Sequence, residues 1–505
     1  MFVQSLFTPL ALGLSIIRPS LAANAEEWRS RSVYQFKQVI VFDFAIAQVM
    51  TDRFARTDGS TTAACDPSSS SYCGGSWKGI ENKLDYIQGM NFTAIWISPT
   101  IEQIPDNTYE GEAYHGYWPK NYYNVNSNFG SADDLKSLVN AAHARGMYVM
   151  VDIVVNHFAN WGDSNINWSG LTPLNSESYF HPKCWIDWSN QTSREQCWMG
   201  DGYVPLMDVD TENDNVVNIL NNFARNLTTT YGFDGARLDA AKSIRQTFWP
   251  AFVSAAGVYS QGEAWYEDAP TQCGYQDYMD GVHNYVMKTY ATEALSGQGS
   301  MTMLAGVMNG LVNTCKDVSL LGSFMENHDN ARMASISSDT AILKTAAALT
   351  ILSGNGIPLV FYGQEQMSTG TSAPQNRQAL WLTGYPTGSD KLYTYFATLN
   401  TFRNHVSVSD SAFLTAKPSY SAPSSTVMSI RKGNMMMFIS NQGSKATSTQ
   451  LTSNGWSANT PLIDVMSCQS VTTDGNGNAS VNMNGGLPVV MYPKSYLTGL
   501  RLCSL

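Results

Sequence analysis

Four short runs place acids and bases where apolar packing alone would not. In Val151-Asp152-Ile153-Val154-Val155-Asn156-His157 the aliphatics read as a buried strand, yet an Asp lies inside it and Asn-His ends it. In Gly235-Ala236-Arg237-Leu238-Asp239-Ala240-Ala241-Lys242 side chains alternate, so Arg237 and Asp239 share one face while Ala236 and Leu238 take the other. An Arg two residues from an Asp holds that carboxylate ionised, as a nucleophile requires. A lone Glu263 ends the run Gln261-Gly262-Glu263-Ala264-Trp265, and Ser323-Phe324-Met325-Glu326-Asn327-His328-Asp329 closes the set. Each run singly reads equally well as a salt bridge or cap. Together, Asp239, Glu263 and Asp329 with two histidines and one arginine point to acid/base work at an acetal. Glycoside hydrolysis needs such a set: an ionised and a protonated carboxylate, about 5 Å apart if configuration is retained.

Elements must carry these runs to one place. From Trp77 to about Ser409 short β-rich runs alternate with helical patterns. Strands are expected at Ala94 to Ile97, Tyr148 to Val155, Gly235 to Leu238, Val258 to Gly262, Leu320 to Phe324 and Pro358 to Tyr362. Helices are expected at Ser131 to Arg145, Val216 to Thr230 and Ala341 to Leu352. Without an early Gly-rich phosphate turn, this suits an α/β fold of the (β/α)8 TIM-barrel kind, whose chemistry sits at the C-terminal ends of strands. Residues 158–209 interrupt the alternation and read as a subdomain inserted after the third strand. Beyond Ala412 short alternating strands without helices suggest a C-terminal antiparallel β-sandwich. The expected division is a leader at 1–25, a catalytic barrel at 26–409 and the sandwich at 410–505.

The chain's 505 residues carry a net charge of -11 and no Lys/Arg run, which argues against nucleic acid or an anionic membrane and for a neutral substrate. Phe2 to Ile17 is mostly apolar and is followed by small residues, as in a cleaved signal peptide, so secretion is expected. Eight cysteines without a CxxC pair favour disulfides over zinc, with the connectivity open. Glycan acceptor motifs begin at Asn91, Asn167, Asn190, Asn226 and Asn478; Asn91, just before the apolar run Thr93 to Ile97, is expected to be too buried to carry a glycan and is the weakest of the five.

The four runs, in this order, resemble the signature regions of the α-amylase family, and nearly the whole chain is similar to secreted fungal members of the Taka-amylase type. Thr51-Asp52-Arg53-Phe54-Ala55-Arg56-Thr57-Asp58, Ala113-Tyr114-His115-Gly116-Tyr117-Trp118 and Phe361-Tyr362-Gly363-Gln364-Glu365-Gln366 extend the resemblance. It implies Asp239 as nucleophile, Glu263 as general acid/base and Asp329 as transition-state stabiliser. Arg237 would orient Asp239; Tyr117, Trp118, His157, Lys242, His328 and Arg377 would bind sugar. The resemblance also implies a structural Ca2+ held by Asn156, Glu195, Asp208 and the Ser243 carbonyl. The implied disulfides are Cys65 with Cys73, Cys184 with Cys197, Cys273 with Cys315, and Cys468 with Cys503. The implied activity is calcium-dependent, endo-acting cleavage of α-1,4-glucan by a secreted monomer. An α-glucanotransferase and a non-catalytic glucan-binding relative remain alternatives.

The chain departs from that pattern at several places. Ser243 replaces a usual His, Ala264-Trp265-Tyr266 replaces Val-Leu-Asp after the acid, and Ala373 stands where an Asp is expected. Phe36 to Gln48 is an extra stretch within the first strand, where Lys37 and Asp43 would disrupt a closed sheet; it is expected to be a bulged loop or a translated intron.

Overall fold

The computed structural model describes residues 44–446 and 449–504. Eight parallel strands form its centre: β1 Ile46–Val49, β2 Ala94–Ile97, β3 Tyr148–Ile153, β4 Gly235–Leu238, β5 Tyr259–Gly262, β6 Gly281–Val282, β7 Gly322–Ser323 and β8 Ile357–Phe361. Each of β1 to β6 pairs with its successor or predecessor in chain order, and β8 pairs with both β7 and β1. A parallel bridge from His283 to Gly322 joins the remaining edges, so the sheet closes into a (β/α)8 barrel.

Alternation sorts the strand residues. Ile46, Trp96, Met150, Tyr259 and Leu359 fill the barrel interior, while Ala47, Ile95, Val149, Ala236 and Val360 belong to the outer core. Helices cover that outer face. The one at Ala132–Ala144 starts from a capping box in which Ser131 and Asp134 satisfy each other's backbone N–H groups. Another, Asp214–Tyr231, stops at Gly232, whose φ of 72° suits a residue without Cβ. The third expected helix is found at Thr340–Leu352.

Some expected boundaries shift. β3 ends at Ile153 rather than Val155, and β7 shortens because Asp317 accepts the Ser319 N–H and draws Val318–Leu320 into a 3-10 turn. The larger correction concerns Phe36 to Gln48. Residues 44–48 do not break the first strand: Ile46, Ala47 and Gln48 are part of β1, in register with Ala94, Ile95 and Trp96 on one side and Leu359, Val360 and Phe361 on the other. They fit because Phe44 and Ile46 point into the apolar interior and Ala45 and Ala47 point outward. Residues 36–43, and the leader expected at 1–25, lie outside the described residues.

The segment after β3 forms a three-stranded antiparallel sheet from His157–Ala159, Met199–Gly200 and Pro205–Asp208, with a helix at Gln191–Gln196. At the C-terminal end a six-stranded antiparallel sheet and the pair Thr449–Ser453/Ala479–Met483 enclose Phe438, Trp456, Leu462 and Met491. This end is not free of helix, because Asp410 caps a short one at Ser411–Thr415. The cysteines pair as Cys65–Cys73, Cys184–Cys197, Cys273–Cys315 and Cys468–Cys503. Asn91, expected to be buried, is exposed on a turn, with its amide donating to Thr401 at 2.7 Å. No helix among the described residues is long and apolar enough to cross a membrane.

Candidate active site

Near the C-terminal ends of the strands the barrel's apolar filling gives way to polar side chains. Two residues beyond Ile46, Met150 and Tyr259, the same inward face carries Gln48, Asp152 and Gln261, with Arg237 in register with Asp152 and Gln261. Arg237 is fully buried and binds three carboxylates: Asp152 at 2.9 Å, Asp239 at 2.5 Å and Glu263 at 2.9 Å. Asp239 and Glu263 occupy opposite nitrogens, Nη1 and Nη2, of the one guanidinium. Glu263 also accepts the Ala240 N–H at 3.1 Å and the Tyr285 hydroxyl at 3.2 Å.

Three negative charges on one cation cannot all persist in a buried place. Burial pushes Asp239 above the usual carboxylate range despite Arg237, with the charges of Glu263 and Asp152 adding to the rise. Asp239 therefore holds its proton to a higher pH than an isolated carboxyl does. Asp329 behaves oppositely: burial would raise it, but His328, Arg377 and Arg237 outweigh burial and hold it below the usual range. His328 Nε2 lies 3.0 Å from Asp329, and Arg377 Nη2 lies 3.1 Å from the other oxygen.

The remaining groups are held by identifiable partners. The Gln48 amide nitrogen is 2.8 Å from His328 Nδ1, which leaves Nε2 to donate to Asp329. His157 Nε2 donates to the Tyr117 carbonyl at 3.0 Å; burial nevertheless pushes this histidine down to about 4, so it is neutral near pH 7. The Tyr117 ring stacks on His328 with centroids 5.1 Å apart, and its hydroxyl donates to Asp152. These groups open into a cleft of about 560 Å³, also lined by Trp118, Lys242 and Arg377. Lys242 Nζ sits 4.8 Å from the Trp188 ring centre and 6.0 Å from that of Trp265, and Trp265 stacks on Tyr285.

The expected catalytic and sugar-binding residues are thus brought to one cleft, with Arg237 beneath it. Gln48, Tyr285 and Trp188 were missed. Alternation from Ile46 could have indicated Gln48, and Tyr285 follows β6 by the same inward period, but no local signal singles out Trp188.

The surroundings of the expected calcium ligands suit a cation. Asn156 Oδ1 is buried without a hydrogen-bond partner, an oxygen that a cation would satisfy. Asp208 is buried and pairs across the small sheet with His157, and Val209 N donates to the Asn156 carbonyl at 2.9 Å, so the two side chains come from adjoining backbone. Ser243 is buried on the turn Ala241–Ser243, against which the helix carrying half-exposed Glu195 packs. An all-oxygen donor set of this kind fits Ca2+. Beside it His181, Asp210 and Glu212 can bring three ligand atoms within 4.8 Å of one another. The sequence did not single out that cluster.

A barrel with several carboxylates at its mouth and stacking rings around them defines a sugar-processing class of enzyme. Residues 48–387 match the α-amylase catalytic domain and residues 421–505 match α-amylase domain C. Alpha-amylase 1 of Schwanniomyces occidentalis is 44% identical over 96% of this chain and 93% of that protein. Alpha-amylase 1 of Lipomyces kononenkoae is 45% identical over 100% of this chain and 79% of its own length. The solved α-amylase of Malbranchea cinnamomea superposes with a TM-score of 0.90 at 40% identity, covering 95% of this chain and 100% of that one. The chain belongs to the α-amylase family of glycoside hydrolases.

Proposed function

We propose that this chain is a secreted, calcium-dependent, endo-acting α-amylase that hydrolyses α-1,4-glucosidic bonds of starch, glycogen and maltooligosaccharides with retention. The observation that carries this reading is the single Arg237 guanidinium holding Asp239 and Glu263 at its two ends. That arrangement keeps the pair close, and retaining enzymes have their two carboxyls about 5–5.5 Å apart. Retention needs Asp239 ionised, a form the short Arg237 contact supports against burial, and Glu263 carrying the proton that is delivered. Glu263 then protonates the departing glycosidic oxygen as Asp239 attacks C1, forming a glycosyl ester. Glu263, now ionised, next takes a proton from water, whose oxygen displaces Asp239 from C1. Asp329, ionised beside His328 and Arg377, supports the positive charge that develops on the ring and binds sugar hydroxyls. His157 and His328 line the sugar site and Tyr117 offers a ring face.

Calcium would be held by Asn156, Glu195, Asp208 and the Ser243 carbonyl, where it would supply a structural tie between inserted subdomain and barrel. The four disulfides support an oxidising destination. A second reading, glucan transfer, is favoured by Trp188 and Trp265 flanking Lys242, since aromatic walls retain a sugar acceptor in competition with water. Incubating the protein with a reducing-end-blocked maltoheptaoside, with and without chelator, tests both. Internal cleavage that chelator abolishes is expected. Products longer than the substrate would favour transfer, and no turnover would oppose both readings in favour of a non-catalytic glucan binder.

A further inference from the structure

Two tight turns from different parts of the chain meet at the rim of the cleft. One is Thr108–Gly111, closed by Thr108 N to Gly111 O at 2.9 Å and Gly111 N to Thr108 O at 3.1 Å. Gly111 has a φ of 98°, and a Cβ there would collide with Ser70, so this turn is fixed against the neighbouring loop. The other joins Met199–Gly200 to Pro205–Asp208, and its tip is pinned by the Asp201 carboxylate accepting Tyr203 N–H at 2.7 Å and Val204 N–H at 3.1 Å. At the tips stand Tyr109, 83% exposed, and Tyr203, 56% exposed, with ring centroids 5.3 Å apart. Glu110, next to Tyr109, lines the catalytic cleft with its carboxyl beside that of Asp201, so the two turns meet at the cleft edge. A third exposed ring, Trp161, precedes Gly162, whose N–H donates to the Tyr203 carbonyl at 2.7 Å.

Large rings left in water on rigid turns are costly unless something covers them. We infer that Tyr109 and Tyr203 form an outer glucan-binding platform, on which a chain extending out of the cleft lays the apolar face of a sugar ring. The occupant is α-glucan because the platform continues the lining of the cleft through Glu110. Pre-ordered turns bind without paying for loop ordering. The inference rests on the α-amylase reading for its ligand. It predicts better use of long chains than of substrates too short to leave the cleft.

The test compares the full-length protein with the Y109A/Y203A double variant on amylose and on p-nitrophenyl maltotrioside. KM for amylose should rise about five- to tenfold, with kcat unchanged and the short substrate unaffected. The Y109F/Y203F variant should behave as the parent, because stacking needs the ring and not the hydroxyl. Unchanged KM on amylose, or equal losses on both substrates, would overturn the platform. Migration in amylose-containing native gels reads the same site without turnover: the parent should be retarded and the alanine variant less so. An inactive parent with that gel difference would count against the amylase reading and leave the platform standing; identical migration would remove the platform.

Discussion

Two buried arginines in this barrel keep different company. Arg332 binds one carboxylate, Glu326 at 2.9 Å, and its other hydrogen bonds go to the carbonyls of Tyr362 and Asn376, with the Phe361 ring beneath it. Glu326 is enclosed, and its second oxygen accepts the Met333 N–H. Charge is balanced and nothing there faces the cleft. Arg237 binds three carboxylates, two of which line the cleft. A matched pair holds parts together, whereas a surplus of acids around one cation, open on one side, presents carboxyls of perturbed acidity to the cleft.

The comparison can be broken at either arginine. Asp239→Asn should lower kcat/KM on maltoheptaoside on the order of 10⁴-fold or more, with the unfolding midpoint little changed. A comparable loss of stability would make Asp239 a structural partner like Glu326. Conversely, Glu326→Gln should destabilise the fold by about 3–5 kcal/mol in urea titrations while the folded fraction keeps its kcat. A fall in kcat without a lower midpoint would place Glu326 in the chemistry.

A third buried acid sharpens the contrast. Among the described residues Glu365 has no ion-pair partner; it accepts from the Tyr86 hydroxyl and the Gly363 N–H, and burial raises it from 4.5 to about 7. The unfolded chain releases this proton near pH 4.5 and the folded one near pH 7, so this group's contribution to stability is full below the first value and lost as pH rises to the second. Glu365→Gln should therefore gain on the parent between pH 5 and 7.5, by about 3 kcal/mol at most in denaturant midpoints. Parallel pH profiles would show that Glu365 is ionised in the fold. The smallest effect is expected at Gln48, which positions His328: Gln48→Leu should reduce kcat/KM about tenfold and shift its pH profile, with little change in KM. An unchanged profile would remove Gln48 from the supporting set.

Much of this is legible in the sequence. Aliphatic runs and period-two alternation located six of the eight barrel strands, and the capping residues Ser131 and Gly232 sit where the helix patterns stop. Alternation also put Arg237 and Asp239 on one face. What alternation could not separate is Glu326 from Asp329, three residues apart in one run, because the chain turns after β7 and carries one acid to Arg332 and the other to the cleft. Gln48 is hidden because Lys37 and Asp43, just before its strand, make residues 36–48 look like an insertion. His181 with Glu212, and Tyr109 with Tyr203, come together only when separate segments fold against each other, so no local pattern announces them.

The most direct test of the central claim is to trap the reaction midway. With a slowly released fluorinated α-maltosyl fluoride, peptide mass spectrometry should find the sugar ester on Asp239 alone, and Asp239→Asn should carry none. An ester on another carboxylate, or turnover that releases the β-anomer with no ester formed, would contradict the account.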